Sequence, residues 1–546
     1  MKIFHLILCL WWFEIAISLA DHIQRELSYW VQKNIVISIL TPGSSHVTWV
    51  LEIGQELAAK GHNVTFLARA DHLKYAKDYS GINVQSISEP IRTMNEDSWG
   101  TLLKKKDTRI ESMKMLLDMV NHNFPKDYEK HVEYIQNQAP DLFICDHLTD
   151  SCIRAAEMHN IPFILTSTVL TAPDVPAYYI NSYIVGEPTT ENETMCTRIY
   201  NNYIYPAKVI WHLRKIIKES AQIRRKLGIS SANQLIPKKI NDVVKLVNNF
   251  YGFEPARPTT PLVRFIGPVM QKTFQDLEAD HQQFLGNHRK IAYVAFGHHA
   301  IASHAEFEQV LTALIESVER RTIDGFVWAI VKRSLLPVSV TTHRGSHVNV
   351  TDIMENPEKY PHYLFPKWAP QFAILSHPST AIFITHGGAN SIFEGYFTGK
   401  KMLAHPYFAD QPSNAKLLVS TGAGLDYDRR NLNASEIVHK IERIVTDENG
   451  KFAMNAKRMS ALVQIKARDA ARNGASAVEE VLFTAIDDKV PHMYLPSRNM
   501  SYLKAMNLDI KIMLLSSIAL LVTATHKFKK WFEISNQAQI LKYKKE

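Results

Sequence analysis

Cysteine is scarce in this chain, with four among 546 residues. Cys9 falls in a leader-like stretch, which leaves Cys145, Cys152 and Cys196. An odd number without CxxC spacing argues against a disulfide framework and against a zinc site. The marks of several common chemistries are missing too. No GxGxxG follows a strand-like run, and GxxxxGKS/T, HExxH and GxSxG do not occur. Dehydrogenase, P-loop NTPase, zinc protease and ordinary esterase readings lose their usual support. The composition is neither disordered nor repetitive: 46% hydrophobic and 21% charged residues can build packed cores. The length exceeds one core and calls for two domains with appendages. Half of the net charge of +8 lies at one end, where Lys527, Lys529, Lys530, Lys542, Lys544 and Lys545 stand against Glu533 and Glu546. The rest is only mildly positive, so no nucleic-acid footprint is read from it.

The two ends point to a compartment. Residues 1–20 hold one lysine, an apolar stretch from Ile3 to Phe13, and Ser18-Leu19-Ala20, the pattern of a signal peptide cleaved before Asp21. Residues 503–526 contain the uncharged run Ile512 to Thr525, fourteen residues against the roughly 20 of a spanning helix. Lys504 and Lys511 can snorkel, Asp509 less easily. The lysines that follow suit a cytosolic flank, residues 527–546. Lys542 to Glu546 resembles a dilysine retrieval signal, so a single-pass endoplasmic reticulum protein with a luminal body is expected. Five sequons occur, at Asn63, Asn192, Asn349, Asn433 and Asn499. Asn63 opens a strand expected to be buried and is a poor acceptor; Asn192, in a polar loop, is the best.

Between the ends the chain reads as α/β. Ile35 to Leu40 is a β-rich run, Thr41-Pro42-Gly43 a turn, and Val50, Ile53, Gly54 and Leu57 recur at helical spacing. Val64 to Ala68 is the next strand, and Asp141 to Cys145 and Phe163 to Thr166 bracket a second helix. The pattern restarts after the Pro-rich stretch EPARPTTP with strands at Ile291, Phe326, Tyr363, Ala381 and Met402. Two Rossmann-like doubly wound domains are expected, residues 21–258 and 259–490, facing each other across a cleft.

The most informative segment is Trp368 to Gln411. A buried strand runs into His386-Gly387-Gly388 and then into a helix near Asn390 and Ser391. Glycines let a ligand approach the backbone, and a helix N-terminus offers free N–H groups to a diphosphate. Over these 44 positions the matches include Trp368, Pro370, Gln371, His386, Gly387, Gly388, Asn390, Ser391, Glu394, Asp410 and Gln411. The segment resembles the signature of the UDP-glycosyltransferase family. FYGFEPARP before FIGP and the two ends look like its membrane-bound branch. The resemblance implies a GT-B fold and a UDP-sugar donor. It puts Trp368 on uracil and Gln371 on the nucleoside; His386, Gly388, Asn390 and Ser391 on the diphosphate; Glu394 on ribose; and Asp410 and Gln411 on the sugar.

The resemblance also implies that His46, after the first strand, is a general base and that Asp146 orients it. Inverting transfer from UDP-sugar to the hydroxyl of a small lipophilic acceptor follows, with no metal and no cofactor beyond the donor. The acceptor pocket is expected between Ala70 and Asn248, including Trp99, Phe124 and the stretch Tyr178 to Tyr205. Two departures stand out. His298 and His299 follow Gly297 where the family has Ser or Thr, and Gly399-Lys400-Lys401 replaces Gly-Val-Pro. A non-catalytic relative that binds nucleotide-sugar or serves as a membrane scaffold is the alternative.

Overall fold

The computed structural model describes residues 30–90, 108–168, 181, 189, 191–297, 303–330, 333–428 and 432–543. The leader expected at residues 1–20, and the expectations on Trp99, Tyr178, His298 and His299, lie outside them. One compact body extends to Pro491 and another begins at His492.

The first body contains two parallel sheets. β1 (Asn34–Ile39), β2 (Asn63–Arg69), β3 (Ile82–Ser88), β4 (Leu142–Asp146), β5 (Phe163–Ser167), β6 (Lys245–Val247) and β7 (Val263–Phe265) form the first, in the order β3-β2-β1-β4-β5-β6-β7. From Ile35 on, β1 is an unbroken apolar run apart from Ser38, and all of it is buried, as a parallel strand covered on both faces must be. Helix Ser44–Ala59 covers one face: a Cβ on Gly54 would lie 2.7 Å from Ile37 Cδ1. Helix Thr108–Gln138 covers the other through Phe124 and Ile135.

β8 (Ile291–Ala295), β9 (Gly325–Ala329), the hairpin β10 (Ser339–Thr341) and β11 (His347–Asn349), β12 (Tyr363–Leu364), β13 (Thr380–Thr385), β14 (Met402–Ala404) and β15 (Gly424–Asp426) follow. All but the hairpin make the second sheet, ordered β12-β9-β8-β13-β14-β15. Val294 and Trp328 pack under helix His304–Glu319 on one face; Tyr293 and Phe383 pack with helix Ala389–Phe397 on the other.

Three expectations need correction. The first sheet takes in Val263–Phe265, so it runs past the boundary set at residue 258; the prolines precede an edge strand of the same sheet rather than a new domain. Cys145 and Cys152 form a disulfide, with Cα atoms 5.9 Å apart. The reversal from β4 into helix Asp150–Met158 turns one thiol back over the other, which a count of cysteines does not record. Cys196 is free and exposed. Asn63 opens β2 as expected but is exposed; its amide donates to Asn34 Oδ1 at 3.0 Å and accepts from Asn83 Nδ2 at 2.8 Å.

The second body is mainly the helix Leu508–Tyr543. Its segment Leu508–Ala538 is long and apolar enough to cross a membrane, with an 18-residue stretch of mean hydropathy 1.8, none of it buried.

Candidate active site

Each sheet has one place where its strand order reverses, and ligands settle in the crevice outside the carboxyl ends there. In the first sheet that place is between β1 and β4, the two strands that carry the candidate base and its partner. β1 leads through Thr41-Pro42-Gly43 into helix Ser44–Ala59, whose first turn contains His46. β4 ends on Asp146, which is 1% exposed.

His46 Nδ1 and Asp146 Oδ2 lie 2.9 Å apart. The ionised carboxylate can only accept, so Nδ1 carries the hydrogen and Nε2 is left with its lone pair. The other oxygen of Asp146 accepts from Thr41 Oγ1 at 2.6 Å and from the Leu148 amide at 3.1 Å. Sequence reasoning missed both of these supports and a third residue, His147. The His147 ring stacks on His46 with centroids 5.9 Å apart. His147 Nδ1 donates to the Thr166 carbonyl at 3.2 Å. The adjacent-residue pattern Asp146-His147 was the available signal.

Burial works against a charged His46, but the charge and hydrogen bond of Asp146, with a smaller pull from Asp410, leave its pKa raised above 6.5. Burial likewise opposes charge on Asp146, yet His46 and His147 hold its carboxyl far below the usual carboxylate range. Nitrogen and carboxylate atoms of His46, Asp146 and His147 come within 4.8 Å of one another, a spacing a cation would accept. The hydrogen on His147 Nδ1 is committed to a carbonyl, which leaves the lone pair on its Nε2. Beside it, Thr41 and Pro42 border a recess of about 30 Å³ walled by Leu116, Met119, Val120 and Phe124, with Arg69 and Asp127 at its polar end.

The second sheet reverses between β8 and β13, and there the signature segment lies. β13 ends at Thr385, and His386-Gly387-Gly388 turns the chain into helix Ala389–Phe397. Gly387 has φ 82°, and a Cβ there would come within 3.2 Å of the Gln411 carbonyl. A Cβ on Gly388 would strike the His386 ring, 2.4 Å from Nε2, so both glycines are required for that ring and loop to fit. The same ring lies against Gly297 at the end of β8. Helix Ala389–Phe397 starts with its N–H groups beside this turn and no side-chain cap, an arrangement that favours an anion.

The remaining signature residues gather nearby. Gln371 Nε2 donates to Ser391 Oγ at 3.2 Å and to Glu394 Oε2 at 2.8 Å. Burial pushes the Glu394 carboxyl up to about 7, against the opposing Gln371 hydrogen bond. Asn390 is half-buried in the first turn of the same helix, and Trp368 is 46% exposed. Gln411 is buried; its Oε1 accepts from the Tyr407 amide at 2.9 Å, so that end serves its own loop. Asn414, which sequence reasoning missed, donates to the Gly387 carbonyl at 3.0 Å and to Asp410 Oδ2 at 2.7 Å, tying the glycine turn to Asp410. Burial raises the Asp410 carboxyl against that bond, and it feels the charges of His46 and His147. The two crevices are therefore within electrostatic reach of each other. Gly399-Lys400-Lys401 lies at the far end of the helix, where Lys400 Nζ donates to the His377 carbonyl at 3.0 Å.

Comparison with known proteins gives a consistent result. The family model described as UDP-glucoronosyl and UDP-glucosyl transferase matches residues 23–542. A UDP-glycosyltransferase of Talaromyces amestolkiae is 27% identical over 503 residues, covering 87% of this chain and 93% of its own. The UDP-glucuronosyltransferase 2B7 of Homo sapiens is 22% identical over 512 residues, covering 88% and 89%. Among solved structures, a UDP-glucose:anthocyanidin 3-O-glucosyltransferase in complex with UDP superposes with TM-score 0.55 at 18% identity, covering 82% of this chain and 99% of its own. The glycotransferase of kitacinnamycin gives 0.57 at 18% identity, with the same coverage. The architecture is the two-sheet GT-B fold.

Proposed function

The chain belongs to the UDP-glucuronosyl and UDP-glucosyl transferase family and is an enzyme that moves sugar from a UDP-sugar; we propose that it does so by inversion, onto a hydroxyl of a small lipophilic acceptor, with His46 as general base. The observation that carries this reading is the His46–Asp146 contact at 2.9 Å, with Asp146 braced by Thr41 and Leu148. His46 Nε2 takes the acceptor proton while the acceptor oxygen attacks the anomeric carbon. UDP departs with charge that the N-terminus of helix Ala389–Phe397 and His386 offset. Asp146 stabilises the imidazolium in the meantime. Glu394 and Gln371 are assigned to the nucleoside, Trp368 to the base, Asn390, Ser391 and Gly388 to the phosphates, and Asp410 with Gln411 to the sugar.

Leu116, Met119, Val120 and Phe124 in the wall of the recess beside Thr41 offer apolar contact to part of a lipophilic acceptor, a recess of about 30 Å³ being too small for a whole one. The helix Leu508–Ala538, together with the membrane-bound character of the matched branch, supports a membrane protein. We assign it to the endoplasmic reticulum with the sheets on the luminal side. The test is to incubate detergent-solubilised full chain with a panel of UDP-sugars and lipophilic alcohols and to measure UDP release and glycosylated product. Acceptor-dependent turnover should fall by about 10²–10⁴-fold in His46→Ala. UDP binding without any turnover in the unaltered chain would make it a non-catalytic relative.

A further inference from the structure

The first sheet has one polar corner. On the face under helix Thr108–Gln138, Val36, Leu67 and Ile87 belong to the core. The same face, near the start of the strands, carries Asn34, Asn63, Thr65, Asn83 and Gln85. Register sets these side by side: Asn34 is the partner of Asn63, and Thr65 of Asn83. Alternation along each strand keeps them on one face. The helix ends at Gln138, and a recess of about 260 Å³ lies between these strands and a wall that includes Tyr134 and Gln138.

The carboxamides form a ladder with one direction. Asn83 Nδ2 donates to Asn63 Oδ1 at 2.8 Å, and Asn63 Nδ2 donates to Asn34 Oδ1 at 3.0 Å. Each amide has two donor hydrogens and an acceptor oxygen with two lone pairs, so the ladder orients three side chains and uses less than half of their capacity. A preset row of donors and acceptors matches adjacent hydroxyl groups, each of which both donates and accepts. Among the described residues no charged side chain lines the recess, and Lys33 and Asp141 nearby are paired with each other at 3.0 Å. The negative end of helix Thr108–Gln138 lies at the wall and disfavours an anion. Tyr134, 9% exposed, gives an aromatic surface to the C–H face of a sugar ring.

We propose that this recess binds a neutral hexose, apart from the reacting centre. Its volume falls below the roughly 300–1,000 Å³ of pockets for drug-sized molecules and suits one ring. β1 runs six residues from Asn34 before the turn to His46, so at about 3.3 Å per residue the two places are roughly 20 Å apart along the strand. Neither His46 nor the donor residues take part, and the site stands whether or not the chain transfers sugar.

The test uses full chain made in a host without N-glycosylation and kept in a detergent that has no sugar headgroup. Saturation-transfer NMR with methyl β-glucopyranoside, in the presence of saturating UDP, should show transfer to the ring protons with a Kd of about 1–10 mM. Methyl β-glucuronide should bind at least about threefold more weakly. Asn83→Ala with Gln85→Ala should weaken the glucoside at least about tenfold. Both side chains are exposed on the edge strand β3, and undiminished UDP binding reports that the body stays folded. Absence of transfer at about 50 mM overturns the proposal. So does transfer seen only without UDP, glucuronide binding as tight as glucoside, or binding that survives the double variant. Asn63 and Thr65 are also the two ends of a sequon, so the sugar has two sources. In chain from glycosylating cells, a glycan on Asn63 by peptide mass, with glucoside binding lost, identifies the chain's own glycan as the occupant. An unmodified Asn63, or a modified one with binding retained, identifies a saccharide from solution.

Discussion

His46 must be neutral to accept a proton, and Asp146 opposes that state. Burial alone would lower its pKa; the carboxylate more than reverses this, so the value is raised above 6.5. The acid limb of kcat/KM is therefore expected above pH 6.5, because below the raised value the base already holds its proton. Asp146→Asn removes the attraction and leaves the burial, so the limb should move to lower pH while the plateau falls by roughly 10²–10⁴-fold. A pH–rate profile checks both signs. A limb that stays in place would mean that another group titrates. His131 shows the contrasting case of a histidine used for structure. Buried between Ser38 Oγ at 2.7 Å and the Asp127 carbonyl at 2.6 Å, it is pushed down to about 4 by burial and stays neutral. The spacing of residues separates these two histidines poorly. His46 was legible as a candidate base only through family resemblance; Thr41, 105 residues from Asp146, gave no signal, whereas Leu148 and His147 adjoin Asp146 but reveal their contacts only once the fold sets the turn.

At the scale of elements, the loop from β4 into helix Asp150–Met158 carries Asp146 and His147 and is closed by the Cys145–Cys152 disulfide. Both cysteines are fully buried. A bridge across so short a loop removes little unfolded-state entropy, about 1–3 kcal/mol at most. Its larger effect is to restrict where Asp146 points. Cys145→Ala with Cys152→Ala should lower kcat with KM for the UDP-sugar unchanged, since the donor residues lie on the other sheet. Steady-state kinetics with varied donor reads this, and a rise in donor KM equal to the fall in kcat would sink the idea. The strands flanking these loops were visible in the sequence because buried parallel strands are uninterrupted apolar runs: Ile35, Leu142, Phe163, Ile291 and Thr380 begin or lie at the start of observed strands. β3, with Asn83, Gln85 and Ser86 exposed on an edge, has no such run, and β6 and β7 are three residues each. Their pairing partners supply what their own sequence does not.

At the scale of the molecule, both sheets reverse their order once, and each reversal lies beside one half of the candidate site. The reaction needs the two crevices to stay opposed, and the chain provides for this after the second sheet is complete. Helix Ala470–Thr484 returns to pack on helix Ser44–Ala59 of the first sheet. Gly474 is at the contact: a Cβ there would lie 2.6 Å from Ile53 Cδ1 and 3.1 Å from Ile266 Cδ1. Glu479 on the same helix pairs with Lys60, and with His62 Nε2 at 3.3 Å. Residues 259–490 were expected to be one domain by themselves, because periodicity shows that a helix has an apolar face without showing which sheet receives it. Gly474→Val should push this helix away from Ile53 and Ile266 and cost roughly 1–3 kcal/mol of stability. The donor residues belong to the second sheet, so UDP titrated by calorimetry should bind as before. Transfer, which needs His46 facing the bound sugar, should fall several-fold. If UDP affinity dropped in parallel with turnover, the substitution would have damaged the second half itself. Unchanged turnover together with a lowered melting temperature would show that the returning helix stabilises the body without setting the alignment of the two crevices.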